Sequence, residues 1–325
     1  MSVTAVSIIM PTYDRLEFLR PAVDSVLAQT FEDWDLIIAD DGSSEPTRAY
    51  LRTLALRPRV KVIWLEHTGN PGAVRNAAIR EAGGEYIAFM DSDDLWMPTK
   101  LERQMSAMRA HLDCRWSCTG SMLIDASGGF KPLGYEQRIR YRGAVLEHLL
   151  VHAMDIWTPA VVVERRLLAQ VGGFNEELRL FEDYDLWLRL ASQSEIHPID
   201  EPLICVRRSH DRHYTAEDGA VSMAACRHKS LQSLRPFVMD SRLRSLVGRA
   251  HARSVLDLAN LQATTDRLGA AKTVLSSLTW SWRYGQWWAG LPRTVLRLLA
   301  PRALIGLYRR ARSAKGKSQM RPGLR

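Results

Sequence analysis

The chain has 325 residues, 46% hydrophobic and 25% charged, which suits a soluble globular protein of one large or two modest domains. Its net charge of +8 is uneven: no Asp or Glu follows Asp266 but 13 Lys and Arg do, so the first 266 residues carry a net charge of −5. An acidic body excludes a generally basic nucleic-acid-binding domain and leaves a basic tail suited to an anionic surface.

We expect neither a secretory signal nor a membrane span. The first residues, MSVTAVSIIMPTYDR, lack a basic n-region, and no run reaches the ~18 apolar residues that a spanning helix needs. The four cysteines lack the paired spacing of a zinc site, which favours reduced, buried thiols in a cytosolic protein.

Apolar strands alternate with helical segments over the first hundred residues. Pro71 at the start of one helical segment and Gly83 at its end mark its limits. This alternation predicts a mostly parallel sheet with helices on both faces. The predicted strands cover residues 6–10, 35–40, 60–65 and 85–90. The first predicted helix ends at about residue 29, and two further helices cover residues 46–55 and 71–83.

The pattern becomes mixed after residue 100 and helical beyond about residue 220. The predicted elements are a helix over 97–112, a hairpin turning at 127–129, a strand over 157–164, a helix over 180–193 and a final strand within 197–210. We therefore predict an α/β domain over 1–215, a helical extension over 216–278 and a basic tail rich in Trp and Arg over 279–325.

Polar clusters follow three of the predicted strands, at the carboxyl ends where open α/β sheets bind ligands. They cover residues 11–14, 40–43 and 91–94. Turn formation explains any one of these clusters. It explains the acid pairs after two of the strands less well, because Asn or Ser would form a turn equally well. We therefore expect the three clusters to face one site.

The segment FMDSDDLW places Asp91, Asp93 and Asp94 within four residues, where their charges repel one another. A divalent cation would compensate them, because Mg²⁺ prefers oxygen ligands and commonly takes one or two carboxylates plus substrate phosphates. An Asp-x-Asp alone is also common in solvated turns.

Two further sets of residues suggest nucleotide and acceptor chemistry. Asp41 can accept a hydrogen bond from the N–H of a nucleobase on which Tyr13 stacks, although an Asx turn and partial burial explain the same two residues. Glu182, Asp183 and Asp185 open a predicted helix, whose dipole favours acids. Partial burial would instead raise one pKa in this group and create a general base.

Aromatic and basic residues add two weaker signals. Phe181, Tyr184 and Trp187 suit either a sugar-binding cleft or a core. The segment after the last predicted strand suits a phosphate site, part of a metal shell or a solvated loop. Its residues are Arg207, Arg208, His210, Arg212 and His213.

Taken in order, these motifs resemble family 2 glycosyltransferases of the GT-A fold. The matching segments lie within residues 4–215 and are SIIMPTYDR, SVLAQTFEDWDLIIADDGS, GNPGAVRNAAIREAGGEYIAFMDSDDLWMPTKLE, VGGFNEEL and FEDYDLWLRLA. The resemblance implies a Rossmann-like, mostly parallel sheet flanked by helices, with the C-terminal helices as an extension. It also implies transfer of a sugar from a nucleotide-sugar with inversion at the anomeric carbon.

The resemblance also implies roles for individual residues. It places the catalytic base at Asp183, and we assign Glu182 and Trp187 to the acceptor side. The donor-nucleotide residues are Pro11, Thr12, Tyr13, Asp41, Asn70, Arg75, Asp91 and Ser92. The metal residues are Asp91 and Asp93, with Asp94 and His210 as further candidates.

The implied activity is that of a hexosyltransferase in which Mn²⁺ or Mg²⁺ neutralises the leaving diphosphate. UDP- or dTDP-sugars are the favoured donors, because an Asp acceptor suits the N–H of uracil or thymine, and a GDP-sugar fits as well. The expected acceptor is a saccharide or lipid-linked saccharide in cell-surface polysaccharide or glycolipid synthesis.

The tail adds a second expected partner. Four tryptophans precede Leu-rich segments that carry arginines, a composition typical of an interfacial membrane helix. The tryptophans are Trp280, Trp282, Trp287 and Trp288. We expect the tail to hold a cytoplasmic enzyme at the inner face of an anionic membrane, although the same helices would also suit packing on the rest of the protein.

Three alternatives fit parts of the sequence. A sugar-1-phosphate nucleotidyltransferase would share the sheet and the acids, but it needs a Gly-rich basic loop after the first strand, and PTYDRLEFL has no glycine. A non-catalytic membrane-associated scaffold would not need both Asp93 and Asp183. A polyprenyl-phosphate sugar synthase stays open, because a lipid phosphate acceptor would also favour a basic tail.

Overall fold

The protein is described here by a computed structural model. It describes residues 4–125, 132–137, 139, 141–207, 216–263, 266–281, 283 and 285–299. The chain divides into two compact units. The first comprises Met1–His213 with Ser233–Met239, and the second comprises Tyr214–Gln232 with Asp240–Arg325.

Eleven strands are formed by the described residues of the first unit. They are β1 (Val6–Thr12), β2 (Trp34–Asp40), β3 (Val60–Trp64), β4 (Tyr86–Phe89), β5 (Leu95–Trp96), β6 (Cys114–Ser117), β7 (Thr119–Ile124), β8 (Pro132–Gln137), β9 (Val162–Glu164), β10 (Glu195–Ile196) and β11 (Ile199–Arg207). They form a seven-stranded sheet in the order β10-β6-β9-β4-β1-β2-β3 and a four-stranded sheet in the order β5-β11-β7-β8.

The first four strands run parallel in the larger sheet, as the alternating pattern predicts. β1 lies between β2 and β4, and its residues Val6 to Met10 are all buried because both faces of the sheet are covered. The carboxyl ends of β1, β2 and β4 therefore meet at one edge. β9 runs antiparallel to both β4 and β6.

Seven α-helices accompany these strands within the described residues of the first unit. They are α1 (Leu16–Leu27), α2 (Glu45–Leu54), α3 (Pro71–Arg80), α4 (Lys100–Ala110), α5 (Leu146–Leu150), α6 (Arg165–Gln170) and α7 (Glu182–Gln193). α3 begins where the sequence predicts, because Asn70 Oδ1 accepts a hydrogen bond from the Ala73 amide and Pro71 occupies the first turn. α7 begins after Phe181, which has a left-handed backbone with φ of 60°.

In the middle region, one predicted strand is shorter in the structure, and one predicted hairpin is only partly described. The strand expected over 157–164 is shortened to β9, because Thr158–Ala160 form a 3₁₀ turn and Pro159 has no amide hydrogen to donate. β7 and β8 pair antiparallel as a hairpin requires. The turn expected at 127–129 lies outside the described residues.

The second unit is helical in its described part. It contains α8 (Ala216–Ser233) except for its last residue, together with α9 (Ser241–Gln262), α10 (Arg267–Ser281) and α11 (Gly285–Leu299). Asp240 caps α9 by accepting from the Leu243 amide. Trp287 is fully buried in a core that α9 and α10 also line. The boundary expected at 278/279 falls inside α10. A membrane-spanning helix is absent from the described part of the chain.

Candidate active site

A cavity of about 320 Å³ opens at the shared carboxyl edge of β1, β2 and β4, beside the start of α3. Each of the three strand-end clusters contributes to it, because parallel strands end at the same edge. The eight residues assigned to the donor nucleotide all line this cavity. The full lining is Pro11, Thr12, Tyr13, Arg15, Asp41, His67, Gly69, Asn70, Pro71, Val74, Arg75, Asp91, Ser92 and Asp93.

Arg75 is the counter-charge of one acid after β4 and one acid at the start of α7. Its Nη2 donates to Asp91 Oδ1 at 2.7 Å, and its Nη1 donates to Glu182 Oε1 at 2.9 Å. Burial alone would lower the pKa of this guanidinium, but Asp91 and Glu182 outweigh burial and raise it. The guanidinium also lies over the Phe174 ring, 5.3 Å from its centre. Arg75 therefore connects the donor cavity to the start of α7.

Asp93 lines the same cavity and pairs with a second arginine. Arg15 Nη1 donates to Asp93 Oδ2 at 2.8 Å. Burial, and then the charge of Asp91, raise the pKa of Asp93. Two carboxylates with substrate phosphates form a usual ligand set for Mg²⁺. Asp91 and Asp93 therefore fit a divalent cation that a diphosphate helps to hold, while the described residues contain no cluster of three or more His, Cys, Asp or Glu arranged for a metal ion.

Asp94 does not belong to this pair and needs a correction as a metal candidate. Its side chain is buried and its Oδ1 accepts a hydrogen bond from the Arg207 amide in β11 at 2.8 Å. The Arg207 side chain donates in turn to the Asp93 carbonyl at 2.8 Å. Asp94 thus fixes the acidic loop to the second sheet instead of lining the cavity. His210 lies outside the described residues.

The Asp41 carboxylate organises the loop that follows β3. Its Oδ1 accepts from the Thr68 amide at 2.8 Å and from the Thr68 hydroxyl at 3.0 Å. Its Oδ2 accepts from the Gly69 amide at 3.0 Å and lies 3.1 Å from His67 Nδ1. Asp41 therefore holds residues 67–69 against the end of β2, and Gly69 has the positive φ of 60° that this turn needs.

Aromatic and hydroxyl groups line the cavity beside Asp41. The Tyr13 ring stacks on the His67 imidazole with centroids 4.1 Å apart and planes inclined by 26°. Thr12 is buried, and its Oγ1 has no hydrogen-bond partner among the described residues. Because a buried hydroxyl without a partner costs free energy, this group suits a polar ligand in the cavity. The Asn70 side chain makes two hydrogen bonds. Its Oδ1 caps α3, and its Nδ2 donates to the Glu176 carbonyl at 2.7 Å.

Asp183, the second residue of α7, has a chemically distinct carboxylate. Its Oδ2 accepts from the Thr158 hydroxyl at 3.2 Å, and its Oδ1 accepts from the Tyr184 amide at 2.7 Å. Burial, and then the charge of the adjacent Glu182, raise the pKa of Asp183 to about 6. Arg75 acts in the opposite direction but does not cancel the rise. A carboxylate with this pKa is suited to general-base work near neutral pH.

Trp187 is a core residue, which corrects its assignment to the acceptor side. Its side chain is fully buried, its ring lies near Phe89 and Trp116, and its Nε1 donates to the Ile156 carbonyl at 3.2 Å. Two residues before it, Asp185 is a buried partner of Arg189, one turn further along the helix. Glu182, assigned to the acceptor side, contacts Arg75.

The sequence model described as glycosyl transferase family 2 matches residues 7–168. An Escherichia coli relative, UDP-Glc:alpha-D-GlcNAc-diphosphoundecaprenol beta-1,3-glucosyltransferase WfgD, is 32% identical over 200 residues, which cover 62% of this chain and 75% of that protein. The chain belongs to glycosyl transferase family 2. The resemblance inferred from the sequence motifs is therefore confirmed.

Further comparisons agree with this glycosyltransferase membership. An uncharacterized glycosyltransferase of Rickettsia typhi is 28% identical over 218 residues, and the match covers 65% of each chain. The crystal structure of S. aureus TarS 1-349 is similar with a TM-score of 0.57 and 16% identity, covering 91% of this chain and 81% of that one. The predicted GT-A fold, with its mostly parallel sheet flanked by helices, is confirmed.

Two polar side chains of the cavity, those of His67 and Arg15, were missed in the sequence prediction. His67 follows β3, whose carboxyl end lies beside that of β2, so the same strand-end reasoning would have found it. Arg15 follows the first polar cluster. Asp14 and Arg15 both have positive φ, and Asp14 Oδ1 accepts from the Ser44 amide at 2.8 Å, which holds this turn at the cavity.

Proposed function

We propose that this transferase moves a sugar from a nucleoside-diphosphate sugar to a saccharide or lipid-linked saccharide hydroxyl, with inversion at the anomeric carbon. The observation that carries the proposal is the connection of two acids through Arg75. Asp91, at the donor cavity, and Glu182, next to Asp183, bind the same guanidinium. A candidate base is therefore held in fixed relation to the donor-binding acids.

The nucleotide base is assigned to the part of the cavity between Tyr13 and Asp41. Tyr13 offers an aromatic face, Asp41 offers carboxylate oxygens to an N–H, and Thr12 Oγ1 is a buried hydroxyl in need of a partner. UDP-sugars are the first donors to test, because the name of the related WfgD specifies UDP-Glc. A dTDP- or GDP-sugar offers the same ring N–H.

Asp91 and Asp93 are the residues that would hold a divalent cation, Mn²⁺ or Mg²⁺, together with the diphosphate. When bound, the cation would neutralise the charge of the leaving nucleoside diphosphate. Ser92 lies between the two acids on the cavity wall. The arginines that now pair with both carboxylates show that this loop accepts positive charge from several directions.

Asp183 is the proposed general base. At a pH above its pKa of about 6 the carboxylate can take the proton of an acceptor hydroxyl. The hydroxyl oxygen then forms a bond to the anomeric carbon as the bond from that carbon to the diphosphate breaks. A single displacement of this kind inverts the anomeric centre and needs no covalent intermediate on the enzyme.

The acceptor and the location are inferred from the relatives and the tail. The name of WfgD specifies a diphosphoundecaprenol-linked acceptor, which supports a lipid-linked saccharide here. A basic C-terminal segment would then keep the enzyme at the cytoplasmic face of an anionic membrane. Of the tryptophans expected to make that contact, Trp288 is 57% exposed and Trp287 is buried.

A panel of nucleotide-sugars tests this function. Donor hydrolysis in the presence of Mn²⁺ and thermal shifts are measured for the wild-type protein, Asp93→Ala and Asp183→Asn. We expect one donor class to stabilise the wild-type protein and to be hydrolysed by it. Asp93→Ala should lose donor binding. Asp183→Asn should retain donor binding but lose transfer to an acceptor. Full transfer activity in Asp183→Asn would rule out the assigned base.

A further inference from the structure

The imidazole of His67 makes the two contacts that the proposed function assigns to the donor base. Its ring stacks on Tyr13 with centroids 4.1 Å apart. Its Nδ1 lies 2.9 Å from the Asp41 carbonyl oxygen and 3.1 Å from Asp41 Oδ2. Because both neighbours of Nδ1 are acceptors, Nδ1 carries a hydrogen in this arrangement. A flat ring with an N–H directed at Asp41 thus occupies this part of the cavity.

The chain's own donors surround the Asp41 carboxylate. Oδ1 accepts from the Thr68 amide and hydroxyl, and Oδ2 accepts from the Gly69 amide. His67 Nδ1, which is hydrogen-bonded to the Asp41 carbonyl oxygen, lies 3.1 Å from Oδ2 and occupies the space beside its remaining lone pair. A nucleobase N–H directed at Oδ2 therefore has to take the place of His67 Nδ1.

His67 is the neighbour that can leave without rearranging the loop. Two of the other donors are main-chain amides, and the Thr68 hydroxyl also accepts from the Asn70 amide at 3.1 Å. The His67 side chain is 49% exposed, so rotation about its side-chain bonds can carry the ring towards solvent. The main chain of His67 lies close to Gly42, just after the end of β2. A Cβ added at Gly42 would be 2.9 Å from the main-chain nitrogen of His67.

We propose that His67 is an internal substitute for the nucleobase, which fills the base site in the donor-free protein and is displaced when the donor binds. The proposal rests on the base site assigned above. Displacement makes the apparent nucleotide affinity lower than the intrinsic affinity of the open site, by the fraction of molecules in which His67 has already left. It also makes His67 a determinant of specificity, because only a base with a comparable N–H replaces the lost hydrogen bond.

Calorimetric titration of UDP in the presence of Mn²⁺ tests the proposal on the full chain. His67→Ala should bind UDP roughly tenfold more tightly than the wild type, because one hydrogen bond and one ring stack no longer compete. Pyrophosphate, which has no base, should bind both proteins equally. His111→Ala is the matched control, since His111 is an exposed histidine stacked on His197 at 3.9 Å and does not line the cavity.

The outcomes separate this proposal from the proposed function. UDP binding that is equal or weaker in His67→Ala than in the wild type overturns the substitute role and leaves the donor site intact. Absence of UDP binding in every variant overturns both. An equal gain for pyrophosphate also overturns the substitute role, because the effect would then not involve the base site.

Imidazole nitrogen resonances supply a second, direct measurement. The His67 signals in a ¹⁵N-labelled protein are assigned by their loss in His67→Ala. Saturating UDP should shift the Nδ1 resonance from a hydrogen-bonded position towards that of a solvated ring. An unchanged His67 signal at a UDP concentration that saturates the calorimetric response would show that the ring stays in place, which contradicts the proposal.

Discussion

Arg75 donates to Asp91 over 2.7 Å, and this ion pair joins helix α3 to the acidic loop that follows β4. The other end of the same guanidinium binds Glu182, the residue before the candidate base. Donor binding and base positioning therefore depend on a single buried cation. Its side chain is 7% exposed, so neither carboxylate has water as a full replacement for this partner.

Replacing Arg75 by Met should lower the free energy of unfolding by roughly 3–5 kcal/mol, the usual cost of breaking a buried ion pair and leaving its acids unpaired. Arg80→Met is the matched control. Arg80 lies on the same helix, is 67% exposed and is 3.9 Å from Glu176, so its removal should change stability by at most ~1 kcal/mol. Urea denaturation of both variants measures the difference, and equal losses would contradict the structural role of Arg75.

The pH dependence of transfer should follow the ionisation of Asp183. Because its pKa is raised to about 6, kcat/KM should be constant at higher pH and should fall as the pH drops below about 6, where the base becomes protonated. Arg75 lowers this pKa by its charge, so Arg75→Met should move the midpoint of the profile to higher pH. A wild-type midpoint near the ordinary value of 3.8 would exclude Asp183 as the base.

Asp183→Asn should reduce activity and increase stability together. The loss of a general base lowers the transfer rate by roughly 10²- to 10⁴-fold. The folded state binds the Asp183 proton more tightly than the unfolded state, so the wild-type carboxyl costs stability as pH rises from about 4 to about 6 and throughout higher pH.

The Asn variant avoids that cost and should be about 1–3 kcal/mol more stable above pH 6, with no difference below pH 4. Thermal unfolding at several pH values measures this. Asp113→Asn, at an exposed position, is the control and should show no such dependence. A destabilised Asp183→Asn at neutral pH would mean that the hydrogen bonds of the carboxylate outweigh its burial.

Arg15 should weaken the affinity of the nucleotide-free protein for Mn²⁺. The guanidinium pairs with Asp93, one of the two carboxylates assigned to the cation, and must give way to it. The pair is partly exposed and correspondingly weak, so Arg15→Gln should bind Mn²⁺ only a few-fold more tightly. Electron paramagnetic resonance of free Mn²⁺ measures the change. Arg20→Gln, whose guanidinium lies over Tyr50, is the control, and unchanged Mn²⁺ affinity in Arg15→Gln would refute the competition.

The sequence located the cavity because strand ends are set by local patterns. Three apolar runs followed by polar clusters were enough to bring Thr12, Asp41 and Asp91 together, since parallel strands share a carboxyl edge. The positive side chains that compensate these acids were harder to predict from the sequence. The sequence suggested a cation for the acids after β4, whereas the described structure pairs them with Arg75 and Arg15, which come from two other loops or helices.

The errors concern the direction of single side chains. Asp93 and Asp94 are adjacent and chemically identical in sequence, but only the contact with Arg207 in β11 decides that Asp94 turns away from the cavity. Trp187 lies on the apolar side of α7, and its burial depends on Phe89 and Trp116. Contacts between distant segments determine these orientations, so no local pattern could supply them.

The C-terminal tryptophans should separate into one structural and one surface residue. Trp287 is fully buried within the second unit, so Trp287→Ala should lower its stability by roughly 3–5 kcal/mol. Trp288 is 57% exposed, and Val295 and Leu299 follow it at the spacing of one helix face and are also exposed. Trp288→Ser should leave the unfolding temperature unchanged.

The membrane hypothesis is therefore tested with Trp288→Ser and not by deleting residues 278–325, because that deletion would also remove Trp287 from its core. Co-sedimentation is measured with anionic vesicles and with neutral vesicles. We expect the wild type to pellet with the anionic vesicles and Trp288→Ser to pellet several-fold less, because an interfacial helix binds through its exposed apolar face and its basic residues together. Equal sedimentation of the two proteins with anionic vesicles would exclude this face of α11 as the membrane contact.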